Sequence, residues 1–207
     1  MVNKLNVLQQ VKLLAFSNVK PFHDDPILQN HILGLIRDYR VREFIETGTF
    51  RADSILWLAK LRPELRIRSC EKSRMFYLYS NKKIELTRNI WIYNEDSRIF
   101  LKECIPKDEN IRMFWLDAHW DKDFPLLEEL SIIFERQKSG LILIDDFQVP
   151  DPSSQLGCLP NFGYDTYDGK PINLELIKNI LPSNTRIEFP DYKKLTRGYV
   201  TIYYGLR

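Results

Sequence analysis

Carboxylates recur in this chain directly behind short apolar or β-rich runs. Glu46 follows REFI, Glu71 follows RIRSC, Asp96 follows NIWIYNE, Asp117 follows IRMFWL, and the pair Asp145-Asp146 follows LILI. A single acid in such a place is usually a helix cap or a first-turn acid. Five in the same position relative to their runs point to one shared site. Acids grouped this way can accept hydroxyl or ammonium donors. Where they crowd, they repel one another unless a hard divalent cation holds them charged. Small and hydroxyl-bearing residues stand beside them: Thr47, Gly48, Thr49 and Ser54 after Glu46, and Ser97 after Asp96. His119, two residues past Asp117, titrates near neutral pH and can take a proton.

The elements that must position these residues alternate along the chain. From residue 42 onward, strand patterns at 42–47, 66–70, 89–93, 111–116 and 141–144 are separated by helical patterns. SILWLAKLR, SRIFLKECI and FPLLEELSIIFERQ are among them. That alternation predicts a doubly wound, mainly parallel α/β sheet. In such a sheet, ligands bind beyond the carboxyl ends of the strands, where these acids fall. Residues 148–172 are rich in Pro, Gly, Asp and Ser and read as a long active-site loop. INLELIKNIL then reads as a helix stopped by Pro182. TRIEFPDY and GYVTIYYG have only KKLTR between them, so they predict an antiparallel hairpin.

Bulk properties narrow the class. A length of 207 residues suits a single domain over 1–207, with residues 1–25 as an N-terminal helical extension. The 30 basic residues are interleaved with 28 acidic ones, so no basic face invites nucleic acid. The N-terminal segment carries helix-spaced apolar residues and not a continuous apolar run. It reads as neither signal peptide nor membrane span. It could serve as a lid or as a homo-oligomer contact. Cys70, Cys104 and Cys158 form no CxxC pair, which fits a reducing cytoplasm.

At these residues the chain resembles the class I S-adenosylmethionine-dependent methyltransferases. Glu46-x-Gly48, Glu71, Asp96-Ser97 and Asp117 follow that family's motif order, and the terminal hairpin matches its reversed last strand. ETGTFRADS, LDAHWDKDFPLLEEL and LILIDDF look most like the metal-dependent macrocin O-methyltransferase type. The resemblance implies a seven-stranded Rossmann-like sheet and a cofactor site built from Glu46, Thr47, Gly48, Thr49, Ser54, Glu71, Asp96, Ser97 and Asp117. Glu46 would face the cationic methionine end, Glu71 the ribose hydroxyls and Asp96 the adenine amino group. One departure stands out. The usual EXGXGXG turn has Phe50 and Ala52 in its second and third glycine positions.

In that architecture Asp117, Asp145 and Asp146 converge at neighbouring strand ends, an oxygen donor set suited to Mg²⁺ or Mn²⁺ over zinc. The cation would acidify a hydroxyl on a small sugar or natural-product substrate, with Asp117 and His119 catalytic and His119 as general base. Asp121 and Asp123 read as solvated, while Trp120, Phe162, Tyr164 and Tyr167 are candidates for an apolar substrate wall. Two other readings stay open at this level: a different Rossmann-like enzyme acting on a nucleotide sugar, and a methyltransferase-like domain that binds without catalysis.

Overall fold

The computed structural model describes residues 20–118, 123–150, 163–191 and 197–206. In chain order these residues form a 3-10 turn (Pro21–Asp24), α1 (Pro26–Asp38), β1 (Glu43–Thr47), α2 (Asp53–Leu61), β2 (Arg66–Cys70), α3 (Arg74–Lys83) and β3 (Ile90–Tyr93). There follow α4 (Ser97–Cys104), β4 (Arg112–Leu116), α5 (Leu126–Arg136), β5 (Gly140–Ile144), β6 (Thr166–Tyr167), β7 (Lys170–Pro171), α6 (Leu174–Ile177), β8 (Thr185–Glu188) and β9 (Val200–Tyr204). β4 and β5 are buried at every residue, as strands covered on both faces should be, and their sequences are correspondingly short of alternation.

Seven strands make one sheet in the order β3-β2-β1-β4-β5-β9-β8. β1 through β5 run parallel, and β9 is antiparallel to both β5 and β8. The chain winds outward from β1 to β3, then crosses back to β4. A crevice therefore opens above β1 and β4, where the order reverses. Alternate side chains of the strands feed two apolar layers. Phe44, Met113, Trp115 and Leu141 pack under α1 and α2 with Ile32, Ile36, Ile55 and Leu58. Ile45, Phe114, Leu116 and Ile142 pack on the opposite face with Phe100 and Leu101 of α4 and Leu130 and Ile133 of α5.

Three places differ from the sequence reading. α1 precedes the first expected strand. Asp25 caps it by accepting from the amides of Ile27 and Leu28, and Pro26 occupies its first position, where the missing N–H costs nothing. The helix expected over INLELIKNIL is α-helical only at Leu174–Ile177 and closes in a turn, with Ile180 N donating to Ile177 O. Pro182 disfavours helical backbone just before it, so the last turn unwinds. Within the 148–172 segment, β6 and β7 form a small hairpin across Asp168 and Gly169, both left-handed as a two-residue turn of this kind requires. Residues 151–162 of that segment lie outside the described residues, as does the helix expected through residue 20. Among the described residues, no helix is long and apolar enough to cross a membrane.

Candidate active site

The turn after β1 is the floor of the site. Gly48 has φ +84°, and its amide and that of Thr49 both donate to Cys70 O at 3.0 Å. A Cβ on Gly48 would lie 2.3 Å from the backbone oxygen of Asp117, so only glycine lets the β1 and β4 ends approach this closely. Asp117 N completes the junction by donating to Thr47 O at 3.1 Å. Phe50 and Ala52, which occupy the usual glycine positions, hold φ of 46° and 58°. The loop thus keeps a glycine-type path with side chains that ordinarily resist it, at a cost on the order of 1 kcal/mol per residue. Ala52 leads straight into α2.

Two adjoining clefts rest on this floor and share Gly48 and Phe50. The first, about 610 Å³, is lined by Glu71, Ser73, Phe76, Asp96 and Ser97, with Phe50 and Phe76 ring centroids 4.5 Å apart on one wall. Glu71 is aimed by two amides: Oε2 accepts from Phe50 N and Oε1 from Ser73 N, both at 2.8 Å. Burial raises its pKa against those bonds. Asp96 caps α4 and takes a two-pronged contact from Arg98 at 2.8 and 2.7 Å, with Lys72 at 3.1 Å. The Arg98 contact holds its carboxyl far below the usual range. Its oxygens are therefore already engaged by cations and by the cap. Lys72 and Arg98 also meet Asp123, at 2.6 and 2.9 Å, so the acid read as solvated joins a charged rim across the cleft mouth.

The second cleft, about 550 Å³, is lined by His23, Glu46, Thr49, Ser54, Trp115, Asp117, Asp145 and Asp146 among others. Glu46 is buried and accepts from Ser69 Oγ at 2.6 Å, and Ser69 in turn meets Thr49 Oγ1. Burial pushes its pKa up to about 8 despite the Ser69 bond. Burial also raises Asp117 well above the carboxylate range, reinforced by the charges of Asp145 and Asp146, and lifts Asp146 to about 7. Asp146 meets Arg197 at 2.9 Å. Ser54 Oγ accepts from Phe22 N at 3.0 Å, so this hydroxyl fastens the N-terminal turn. Thr47 is fully buried beneath the junction. Among the aromatic residues expected as substrate wall, Tyr167 stacks on Phe124 at 4.3 Å. His119, Trp120 and Asp121 lie outside the described residues, as does Phe162.

The carboxylates of β4 and β5 suit a divalent cation by donor chemistry: they are hard oxygens, and burial with mutual repulsion raises the pKa of Asp117 and of Asp146. His23 is the residue that sequence reasoning missed. Its Nε2 lies 2.6 Å from Asp145 Oδ2. Burial works against its charged form, but the charge and hydrogen bond of Asp145 outweigh this and raise its pKa. No motif announces it, since it stands in PFHDDP, outside every periodic run.

Comparison with known folds agrees with this layout. An O-methyltransferase from Bacillus cereus in complex with SAH superposes with a TM-score of 0.63 at 16% identity, covering 99% of this chain and 93% of that one. The O-methyltransferase TomG from Streptomyces achromogenes, in complex with SAM, gives 0.61 at 15%, covering 99% and 92%. SAH-bound methyltransferase PaMTH1 from Podospora anserina gives 0.59 at 16%, covering 96% and 87%. The fold is that of the class I methyltransferases. No protein-family model matches the sequence, and no curated protein matches it.

Proposed function

We propose that this protein is an S-adenosylmethionine-dependent O-methyltransferase acting on a small hydroxylated substrate, a sugar or natural product, with help from Mg²⁺ or Mn²⁺. The observation that carries the reading is the glycine-type turn from Gly48 to Ala52, which joins a Glu71-lined cleft to an acidic one on this particular sheet. Similarity to O-methyltransferases bound to SAH and SAM supports it.

The bound cofactor supplies an electrophilic methyl group. Glu71 accepts the ribose hydroxyls, because its backbone-fixed carboxylate faces the first cleft. Glu46 accepts the ammonium of the methionine end. A carboxyl held protonated by burial gains most from a cationic partner, which restores its charge where no protein cation does. Asp96 is committed to Arg98 and Lys72, so it acts on the adenine end by fixing α4 and Ser97. Asp117, Asp145 and Asp146 would hold the divalent cation, which would supply the charge that acidifies the acceptor hydroxyl. His119 takes the hydroxyl proton.

Calorimetric titration with S-adenosylhomocysteine, with and without Mg²⁺, tests this. Binding is expected in the wild type. Glu71→Ala should weaken it by about thirtyfold, the loss of a charge-assisted contact of about 2 kcal/mol. Absence of any binding by the wild type would overturn the reading.

A further inference from the structure

The turn Pro21–Asp24 is built in an expensive conformation. Phe22, His23 and Asp24 hold φ of 49°, 59° and 62°, three successive non-glycine residues in the left-handed region. Each such residue costs on the order of 1–2 kcal/mol, and left-handed residues ordinarily occur singly. Anchors on either side impose the path. Phe22 is buried edge-on against Phe44, Trp57 and Trp115, with centroids 6.4, 5.7 and 5.1 Å away, and its amide is fixed by Ser54. Asp25 is locked as the cap of α1, and Gln29 of the same helix donates to Pro21 O at 2.9 Å. Between the anchors, His23 enters the acidic cleft from the N-terminal segment, far in sequence from Asp145 and Asp146.

What it meets there is a donor set. One donor atom each from His23, Asp145 and Asp146 lie within 4.8 Å of one another. Opposite ligands of a first-row ion stand about 4.4 Å apart, so the three atoms already occupy nearly the volume of one coordination sphere. Asp145 is almost fully buried, and His23 is 30% exposed, which leaves a side open for water or substrate. Asp146 is shared with Arg197, whose charge offsets part of the repulsion that the acids would otherwise exert on one another.

We propose that His23 is a nitrogen ligand of the divalent cation held by Asp145 and Asp146, and that it makes the site select a first-row transition ion such as Mn²⁺ over Mg²⁺. The inference rests on the cation in the proposed function and names what this chain adds to it. Mg²⁺ favours oxygen donors in a strict octahedron and gives up its waters reluctantly, whereas imidazole suits first-row transition ions. A purely carboxylate site discriminates little between Mg²⁺ and Mn²⁺. One imidazole tips it. The turn is thereby a selectivity element, with the ligand delivered from outside the sheet.

The competing explanation is that His23 is only a salt-bridge partner that neutralises Asp145. Direct cation binding by the full chain separates the two, because they predict opposite signs. Mn²⁺ and Mg²⁺ are titrated separately by calorimetry into wild type and His23→Asn, and nitrogen modulation of the Mn²⁺ electron spin echo is recorded. Asparagine tolerates the left-handed backbone, so the turn survives, and a melting curve verifies it. The wild type should prefer Mn²⁺ by tenfold or more and show imidazole modulation. His23→Asn should lose tenfold or more in Mn²⁺ affinity, change less than threefold for Mg²⁺, and lose that modulation. An unchanged Mn²⁺ to Mg²⁺ ratio, or tighter binding of both ions in His23→Asn, would overturn the proposal. A wild type that binds neither ion would overturn it along with the cation of the proposed function. Cation binding that follows His23 in a protein indifferent to S-adenosylhomocysteine would sink the methyltransferase reading alone.

Discussion

β1 carries a glutamate towards each of its ends and the fold treats the two in opposite ways. At the amino end, Glu43 opens β1 and lies between Arg68 and Arg112, with contacts of 2.8 and 2.6 Å. Arg112 is 2% exposed and also grips Asp108 with two bonds of 2.8 Å, holding that carboxyl far below its usual range. Gln137 fills out the cluster through Asn110 O and Ser139 O. Three residues further along β1, Glu46 meets a serine hydroxyl where Glu43 meets two guanidinium groups. The carboxyl end also gathers the backbone strain. Of eight non-glycine residues with positive φ among the described residues, Phe22, His23, Asp24, Phe50, Ala52 and Asp146 surround it. Charge satisfied within the protein stabilises a fold. Charge left for something else marks a site.

Removing one cation from the satisfied end should have the largest effect. Arg112→Met leaves the buried Glu43 with Arg68 alone and strips the exposed Asp108 of its two-pronged partner, at a cost of about 3 kcal/mol. The melting temperature should fall by roughly 10 °C, with affinity for S-adenosylhomocysteine within threefold of wild type in the folded fraction. A loss under 1 kcal/mol would erase the contrast between the ends.

Glu46→Gln should act in the other direction. Its carboxyl titrates at about 8 in the folded protein against 4.5 ordinarily. Between those values the unfolded chain has lost a proton that the folded one keeps, so stability falls as pH rises from about 4.5 to about 8 and then levels off. Glutamine removes that part of the slope. At pH 8 it should stabilise the ligand-free protein by about 2 kcal/mol, below the ceiling of about 5 kcal/mol for the full shift, because water entering the cleft relaxes the burial. Urea denaturation at pH 5 and pH 8 reads this directly, and parallel pH slopes for the two proteins would refute it. S-adenosylhomocysteine should bind the variant more weakly.

The smallest effect concerns the strain. Ala52→Gly relieves a left-handed alanine but loosens the unfolded chain and deletes a buried methyl, terms of about 1 kcal/mol each. The net change should stay within about 1 kcal/mol. A loss above 2 kcal/mol would mean that packing of the Ala52 methyl, and not strain, dominates the turn.

The fold was legible because strand and helix periods alternate cleanly from Glu43 to Ile144, and the brief link between TRIEFPDY and GYVTIYYG left room only for a hairpin. α1 went unread, although Asp25 as cap and Pro26 at the first position stand ahead of its apolar stripe. Other features were no more legible. Asp96 looks in sequence like the other strand-end acids, and only folding shows Arg98 and Lys72 closing on it. Phe50 and Ala52 broke the glycine pattern on paper, yet tertiary contacts hold them in the glycine conformation. His23 reaches Asp145 across 122 positions of sequence, a juxtaposition that no local pattern encodes.

The order of the sheet has its own consequence for how the molecule comes into being. β9 is made after all the other strands of this sheet, yet it occupies an interior lane between β5 and β8. Until it arrives, β5 presents a bare edge of Gly-Leu-Ile-Leu-Ile, and β8 has nothing to dock on. Nascent chains of this protein therefore carry an adhesive seam from the emergence of Ile144 until Val200 to Tyr204 zip onto it.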